Sequence, residues 1–227
     1  MLLSSFIFYI KIQIFYLILV NTIAFICFEL VPLLTKKSNT ISRNFNELIT
    51  YQFGMSILSL IFGFLIFSIL KVSNFDIGLI DISSIPSYLQ IFTIYMVAEF
   101  LIFLSHLSAH KLRIPIISKS HMFHHKITDN MEWVNSKKEH PFIIFLFILV
   151  FCFVFYVLFR TDMISKILAV NIFIFLQALS HYSGKFTVPY IDKFFLFPKD
   201  HYNHHTKRSG PYGVTLSIYD TIFKTRD

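Results

Sequence analysis

The segment Phe142–Phe159 reads FIIFLFILVFCFVFYVLF and contains no charged residue. An α-helix rises about 1.5 Å per residue, so a helix of this length crosses most of a hydrocarbon core of about 30 Å. Four further apolar segments of similar length flank it: Phe15–Leu34, Gln52–Leu70, Tyr88–Ser105 and Met163–Ser180. The sequence therefore predicts an all-α integral membrane protein with four to five transmembrane helices.

The composition excludes an ordinary soluble protein. Of 227 residues, 55% are hydrophobic and only 15% are charged, and the mean hydropathy is +0.65. Soluble domains average about 25% charged residues, and disordered chains are richer still in polar residues. The net charge of +7 comes from short segments between apolar blocks, which favours membrane topology over nucleic-acid binding. Cys27 and Cys152 both lie within apolar blocks, so no disulfide framework or cysteine metal site is expected.

Lysine and arginine predict which side of the membrane each segment faces. They are concentrated after the first, third and fifth apolar segments, whereas residues 72–87 contain neither. With five spans, all three basic regions fall on one side, and the positive-inside rule assigns that side to the cytoplasm. The N-terminus has no basic region before its apolar residues, so a cleaved signal peptide is not expected.

The histidines are the most informative residues of the chain. There are ten, and none precedes position 106. HLSAH occupies residues 106–110, HMFHH residues 121–125 and DHYNHH residues 200–205. On a helix, residues at i, i+3 and i+4 are neighbours, so each H-x-x-H-H triplet predicts three imidazoles pointing in one direction. Ser118 or Ser120 would cap the first of these helices, and Asp200 would cap the second.

Topology gathers nine of these imidazoles in one layer, which predicts a histidine-rich helical cap at the cytoplasmic boundary. They are His106, His110, His121, His124, His125, His181, His201, His204 and His205. Two triplets and a pair in one layer indicate metal binding, because a bound cation keeps neighbouring imidazoles neutral. Nine ligands exceed the needs of one tetrahedral ion, so two ions with four or five nitrogens each are expected. Imidazole suits Zn, Cu, Fe and Ni, so the residues alone leave the metal open.

The motifs HLSAH, HMFHH, SHYSG and DHYNHH resemble those of the fatty acid hydroxylase and sterol desaturase superfamily, over residues 92–225. Glu139-His140-Pro141 and the closing YGVTLSIYDTIFKT (212–225) also match. The resemblance implies a membrane enzyme in which the nine histidines bind two iron ions and O2 oxidises a C–H bond of a lipid. It divides the chain into an N-terminal transmembrane region, 1–87, and a catalytic region, 88–227, whose active site faces the cytoplasm.

The resemblance also implies supporting residues and partners. Glu99, His140 and Asp220 are candidates for holding the ligand histidines in place. Glu99 lies two helical turns before His106, where a carboxylate could orient a ligand through its second ring nitrogen. The expected substrate is a lipid, and a sterol, a fatty acyl chain, an alkylglycerol ether and a carotenoid all remain open. The expected electron donor is external (a cytochrome b5-like protein, a ferredoxin or a reductase), because no haem, flavin or iron–sulfur motif is visible.

A different function remains open on the residues alone. The same imidazoles could serve a transition-metal carrier or transporter without oxidase activity. Such a protein should carry polar ligands in the middle of its spans, where only a few ionisable residues occur, chiefly Glu29 and Glu99. A degenerate scaffold fits poorly with nine retained histidines. The sequence does not distinguish hydroxylation from desaturation, and it does not indicate the oligomeric state.

Overall fold

A computed structural model describes residues 77–127, 131, 136, 138–182 and 186–226, together with scattered residues between 7 and 65. The predicted spans at 15–34 and 52–70 lie outside the continuously described residues. The architecture below therefore concerns the part of the chain that contains the histidines.

Three long apolar helices form the body of this region. Helix α1 (Ser87–Leu107) continues into a π-helical turn (Ser108–Leu112), and α3 (Pro141–Phe153) continues into another (Val154–Leu158). Helix α4 covers Met163–Ser180. Their mean hydropathies are 1.7, 3.0 and 1.8, and each is long enough to cross a membrane. The third, fourth and fifth predicted spans are thus confirmed as apolar helices of membrane-spanning length, while the side that each end faces stays a prediction.

Shorter helices and strands lie at both ends of these three long helices. Strand β1 (Ile80–Asp81) pairs in parallel with β2 (Phe159–Arg160), which ties the segment before α1 to the segment after α3. The remaining elements carry or flank the histidine motifs: α2 (Pro115–His124), a 3-10 turn (Ile191–Lys193), α5 (Pro198–Lys207) and α6 (Ile218–Phe223).

Both H-x-x-H-H triplets lie on short helices that begin with proline, as α2 begins at Pro115 and α5 at Pro198. Proline suits the first helical position because its φ is fixed near the helical value and its missing N–H has no partner to lose. The predicted serine and aspartate caps are therefore wrong. Ser118 lies inside α2, and its hydroxyl donates to the Ala109 carbonyl at 2.6 Å.

Helix α1 packs against α4 and against the C-terminal segment. Ile94, Ala98 and Ile102 of α1 are at most 1% exposed, and Ala169 of α4 is fully buried in the same cluster. Small side chains allow helices to approach closely, which is how membrane helices gain packing energy. Leu216 joins this core, so residues after α5 return to α1 just below His106.

Candidate metal centre

The structure brings the nine predicted histidines together in two groups. The five-histidine cluster comprises His106, His110, His121, His125 and His204, and the four-histidine cluster comprises His124, His181, His201 and His205. Within each cluster the candidate ligand atoms all lie within 4.8 Å of one another. All of the side chains are buried except His110, which is half-buried. This division has the four and five nitrogens per ion that the ligand count predicts.

Each H-x-x-H-H triplet is divided between the two clusters. His121 and His125 face the five-histidine cluster, and His124 faces the four-histidine cluster. The second triplet is divided in the opposite sense, with only His204 in the five-histidine cluster. The prediction that three imidazoles point one way is wrong, because residues i and i+4 are about 40° apart around a helix whereas i+3 and i+4 are about 100° apart. Each helix therefore supplies ligands to both clusters.

Backbone carbonyls fix the orientation of five of the rings through Nδ1. The pairs are His106 with Tyr212 (2.7 Å), His124 with Lys138 (3.2 Å), His181 with Gln177 (2.8 Å), His204 with Ser209 (2.6 Å) and His205 with Ile127 (2.9 Å). A carbonyl oxygen only accepts, so Nδ1 carries the hydrogen in each pair. In the neutral ring, Nε2 then keeps a free lone pair, which is the tautomer that a metal needs.

In the four-histidine cluster the Nε2 atoms lie close together, and one pair of them has no hydrogen to share. The Nε2 atoms of His124 and His181 are 3.0 Å apart, and the Nε2 atom of His201 is 3.0 Å from that of His181. Because Nδ1 carries the hydrogen in both His124 and His181, neither Nε2 has one to donate. Two ligands held at about 2.0–2.1 Å from one ion and at right angles lie about 3 Å apart. The spacing therefore suits two ligands of a common ion.

The five-histidine cluster also contains closely spaced Nε2 atoms. Its Nε2 atoms approach to 3.1 Å between His121 and His110 and to 2.9 Å between His125 and His121. The buried Nε2 atoms of His106 and His204 have no hydrogen-bond partner within the described residues. A buried polar nitrogen without a partner costs free energy, and a metal ion removes that cost. Both clusters therefore fit a bound metal ion.

Burial keeps these imidazoles neutral. It lowers the pKa of His124 to about 4 and, with His110 nearby, the pKa of His204 to about 3. It also lowers the pKa of His121, His181 and His205 well below the ordinary value, and neighbouring imidazoles add to the effect. A deprotonated ring is the form that binds a metal, so at neutral pH the clusters are ready to bind ions.

We expect the metal-free chain to lose stability as the pH falls below about 6.5, the ordinary histidine pKa in an unfolded chain. The pKa of His124 in the folded chain is about 4, so between these values the unfolded state binds more protons and folding becomes less favourable. The contribution of these neutral histidines to the free energy of unfolding should be fully present above about pH 6.5 and decrease steadily towards about pH 4. Thermal unfolding of the chelator-treated protein at a series of pH values measures this. An unchanged melting temperature between about pH 7 and pH 5 would contradict it.

Glu99 does not contact a histidine among the described residues. Its Oε1 atom accepts the backbone N–H groups of Val214, Thr215 and Leu216, at 3.1, 2.6 and 3.0 Å. The predicted direct contact with a ligand is therefore wrong, because the Nδ1 atom of His106 is held by the Tyr212 carbonyl instead. Glu99 acts one step away, by holding the segment that follows Tyr212.

Asp220 holds the preceding residues of the same segment. Its Oδ1 atom accepts the N–H of Tyr212 at 2.6 Å, and its Oδ2 atom accepts the N–H of Gly213 at 2.7 Å. Asp220 and Glu99, both fully buried, thus bind five consecutive backbone N–H groups. The carbonyl of Tyr212 is consequently fixed where it orients His106, which agrees with a supporting role for Asp220.

His140 is not part of the centre. It is exposed, and its Nδ1 atom accepts the N–H of Phe142 at 3.2 Å, which caps α3. The preceding Glu139 is buried instead, and its Oε1 atom lies 3.3 Å from Nδ1 of His124. Burial raises the pKa of Glu139 well above its ordinary value. Sequence reasoning noted Glu139 within a matching segment but gave it no role, although an acidic residue at the boundary of a span beside the histidine layer was a signal for one.

A cavity of about 30 Å³ adjoins both clusters. Its lining combines histidines of both clusters and a few other polar residues with apolar side chains, namely Ala109, Ile117, Ile143, Leu146, Phe147 and Val214. A volume of this size has room for about two water molecules. The candidate ligands thus border a small space that is also lined by the first turns of an apolar, membrane-length helix.

Comparison with known proteins assigns the family. The family model described as fatty acid hydroxylase matches residues 91–225, which is more than half of the chain. No curated protein and no solved structure matched the chain. The matched range contains both histidine clusters and, except for the first turn of α1, the three membrane-length helices found among the described residues. It agrees with the resemblance found in the motifs. The chain therefore belongs to the fatty acid hydroxylase family of di-iron oxidoreductases.

Proposed function

We propose that this chain is a membrane-bound lipid oxidase that uses O2 to hydroxylate or desaturate a C–H bond. The observation that carries the proposal is the pair of histidine clusters, whose free nitrogen lone pairs border a cavity lined in part by apolar side chains. Iron is the metal that the family implies, and imidazole is a suitable ligand for it. A sterol, a fatty acyl chain and an alkylglycerol are the substrate classes we consider.

The two possible reactions have the same requirements. Hydroxylation consumes O2, two electrons and two protons, and it yields an alcohol and one water molecule. Desaturation consumes the same reagents and yields an alkene and two water molecules. A pair of ferrous ions would supply O2 activation, which side chains alone do not provide. The sequence shows no haem, flavin or iron–sulfur motif, so the electrons would come from an external donor such as a cytochrome b5-like protein, a ferredoxin or a reductase.

The chain's own residues would bind the ions and the lipid. The five-histidine cluster would hold one ion and the four-histidine cluster the other, through neutral nitrogens. Ile143, Leu146 and Phe147 line the cavity from α3, where they would exclude water and contact a lipid chain. All three belong to a helix of membrane-spanning length, so a substrate could reach them while remaining partly in the bilayer.

A metal transporter is the less well supported alternative. Transport paths are marked by ionisable residues that face a pore or cavity within the membrane. Glu99 is the acidic residue within the described membrane-length helices, and it is fully buried with Oε1 bound to three backbone N–H groups. Its position supports the fold of the C-terminal segment rather than a path for ions.

The test is an oxygen-dependent lipid assay with the full chain in vesicles of total membrane lipid. We expect iron, a reductant and O2 together to convert one lipid species, and omission of any of the three to stop conversion. Isotopically labelled O2 separates the reactions, since a hydroxylated lipid carries the label and an alkene does not. Uptake of metal into the vesicles with no O2-dependent change in any lipid would contradict the proposal and favour a carrier.

A further inference from the structure

Glu139 is a buried acidic residue whose carboxyl group the fold does not use. Its side chain is 4% exposed. Glu99 and Asp220 are buried as well, but they accept five backbone N–H groups between them. The Oε2 atom of Glu139 has no hydrogen-bond partner in the described part of the chain, as is also true of Oε2 of Glu99. Unlike Glu99, whose Oε1 is held by three backbone N–H groups, Glu139 contacts Nδ1 of His124 and lines the cavity beside the clusters.

Among the five rings anchored by a backbone carbonyl, that of His124, which contacts Glu139, is the most weakly held. Its Nδ1 atom lies 3.2 Å from the Lys138 carbonyl, whereas the other four rings anchored in this way have distances of 2.6–2.9 Å. The Oε1 atom of Glu139 lies at almost the same distance from that Nδ1, 3.3 Å. A carboxyl group in this place complements a weak carbonyl contact and orients the ring.

Charge balance gives Glu139 a second role. Both clusters consist of neutral imidazoles, so two divalent ions would bring four positive charges into a buried site. Burying a charge without a partner is costly. Among the described residues, Glu139 is the acidic side chain in contact with a histidine of either cluster, and the contact is with the four-histidine cluster. Its charge would therefore favour the ion in that cluster over the other.

We propose that Glu139 is a positioning residue that strengthens metal binding in the four-histidine cluster and thereby makes the two metal sites unequal. The inference rests on the proposed function, because it concerns the same pair of ions. In this role Glu139 differs from a residue that only supports the fold. An unpartnered buried oxygen costs free energy in the metal-free chain, so its contribution arises only when a metal is bound.

The test compares Glu139→Gln with the matched control His140→Asn in the full chain, purified in detergent and freed of metal. Asparagine is a good helix N-cap, so the control changes the neighbouring residue and keeps α3 capped. Each protein is titrated with Co²⁺ against a competing chelator, and the visible absorption of the bound Co²⁺ reports each site. The melting temperature of each metal-free protein is measured alongside.

We expect His140→Asn to bind two Co²⁺ ions with the same two affinities as the wild-type chain, in which the site of the four-histidine cluster binds more tightly than it would without Glu139. Glu139→Gln should retain one ion with wild-type affinity and bind the other about 10–100-fold more weakly, with the absorption of that site alone changed. Its metal-free melting temperature should be equal to or higher than that of the wild-type chain.

Two results would overturn the inference while leaving the proposed function in place. One is wild-type affinity at both sites in Glu139→Gln. The other is an equal loss of affinity at both sites together with a lower melting temperature of the metal-free protein, which would show a structural role. A wild-type chain that binds no metal ion would overturn the proposed function, and the inference with it.

Discussion

Alanine at His204 should reduce lipid oxidation to background, and alanine at His124 should do the same. His204 is fully buried and is the only ligand that the second triplet gives to the five-histidine cluster. In the same way, His124 is the only histidine of the first triplet that lies in the four-histidine cluster. In each case alanine removes a nitrogen aimed into one cluster, and two-metal chemistry needs both ions.

Metal content separates these two variants from simple misfolding. Each should lose the ion of its own cluster and keep part or all of the other, because the remaining cluster retains its full set of imidazoles. Thr206→Ala is the matched control for His204, since Thr206 is exposed on the same helix and should leave both metal content and turnover unchanged. Wild-type turnover by either histidine variant would refute the assignment of the clusters.

Gly213→Ala is expected to cause a large loss of stability. A Cβ atom at this position would lie 1.9 Å from the Leu216 carbonyl oxygen and 2.9 Å from Oδ2 of Asp220. The segment would have to move, which would release N–H groups from Glu99 and Asp220 and displace the Tyr212 carbonyl from His106. Losses of this kind reach about 4–5 kcal/mol, which lowers the melting temperature of a chain of this size by about 10 °C or more.

Thermal unfolding and metal content together test this prediction. Metal binding by the five-histidine cluster should fall with the melting temperature, because His106 loses its anchor. Ile222→Ala is a suitable control, since Ile222 lies on the nearby α6 and its side chain is 61% exposed. A Gly213→Ala protein that melts within about 2 °C of the wild-type chain and keeps two ions would contradict the account of this segment.

The sequence predicted the membrane-length helices well because one property, an uninterrupted apolar run, determines them. The third predicted span ended at Ser105, whereas the apolar helix continues through the π-helical turn Ser108–Leu112. No apolar pattern marks that turn, which contains His110. Length and hydropathy thus located these three helices, and the ends of the fourth and fifth predicted spans agree with the structure to within one residue, whereas the C-terminal end of the third was missed.

The set of candidate ligands could also be predicted from the sequence, but the assignment of each histidine to one of the two clusters could not. Motif spacing identified all nine histidines that meet in the clusters. Assigning each to a cluster depends on the direction of each residue around α2 and α5. His124 and His125 are adjacent in sequence, and the helix turns them about 100° apart. When a triplet is assumed to lie on a single face of its helix, its contribution to two separate sites is missed.

Supporting residues were the least predictable part of the site. The three N–H partners of Glu99 lie 115, 116 and 117 residues later in the chain, a separation that no local pattern encodes. Glu139 and His140 are adjacent, and only the start of α3 at Pro141 decides which of them turns inward. Hydrogen bonds at helix ends and between distant segments require the folded structure.

Iron content is the measurement that tests the central claim most directly. The full chain, purified in detergent without oxygen and loaded with ferrous ion, is analysed for iron per chain and by Mössbauer spectroscopy. Two histidine clusters, each fit for one ion, predict about two irons per chain in two distinguishable environments. A single iron, or none, in protein that remains folded would contradict the assignment of a paired metal centre.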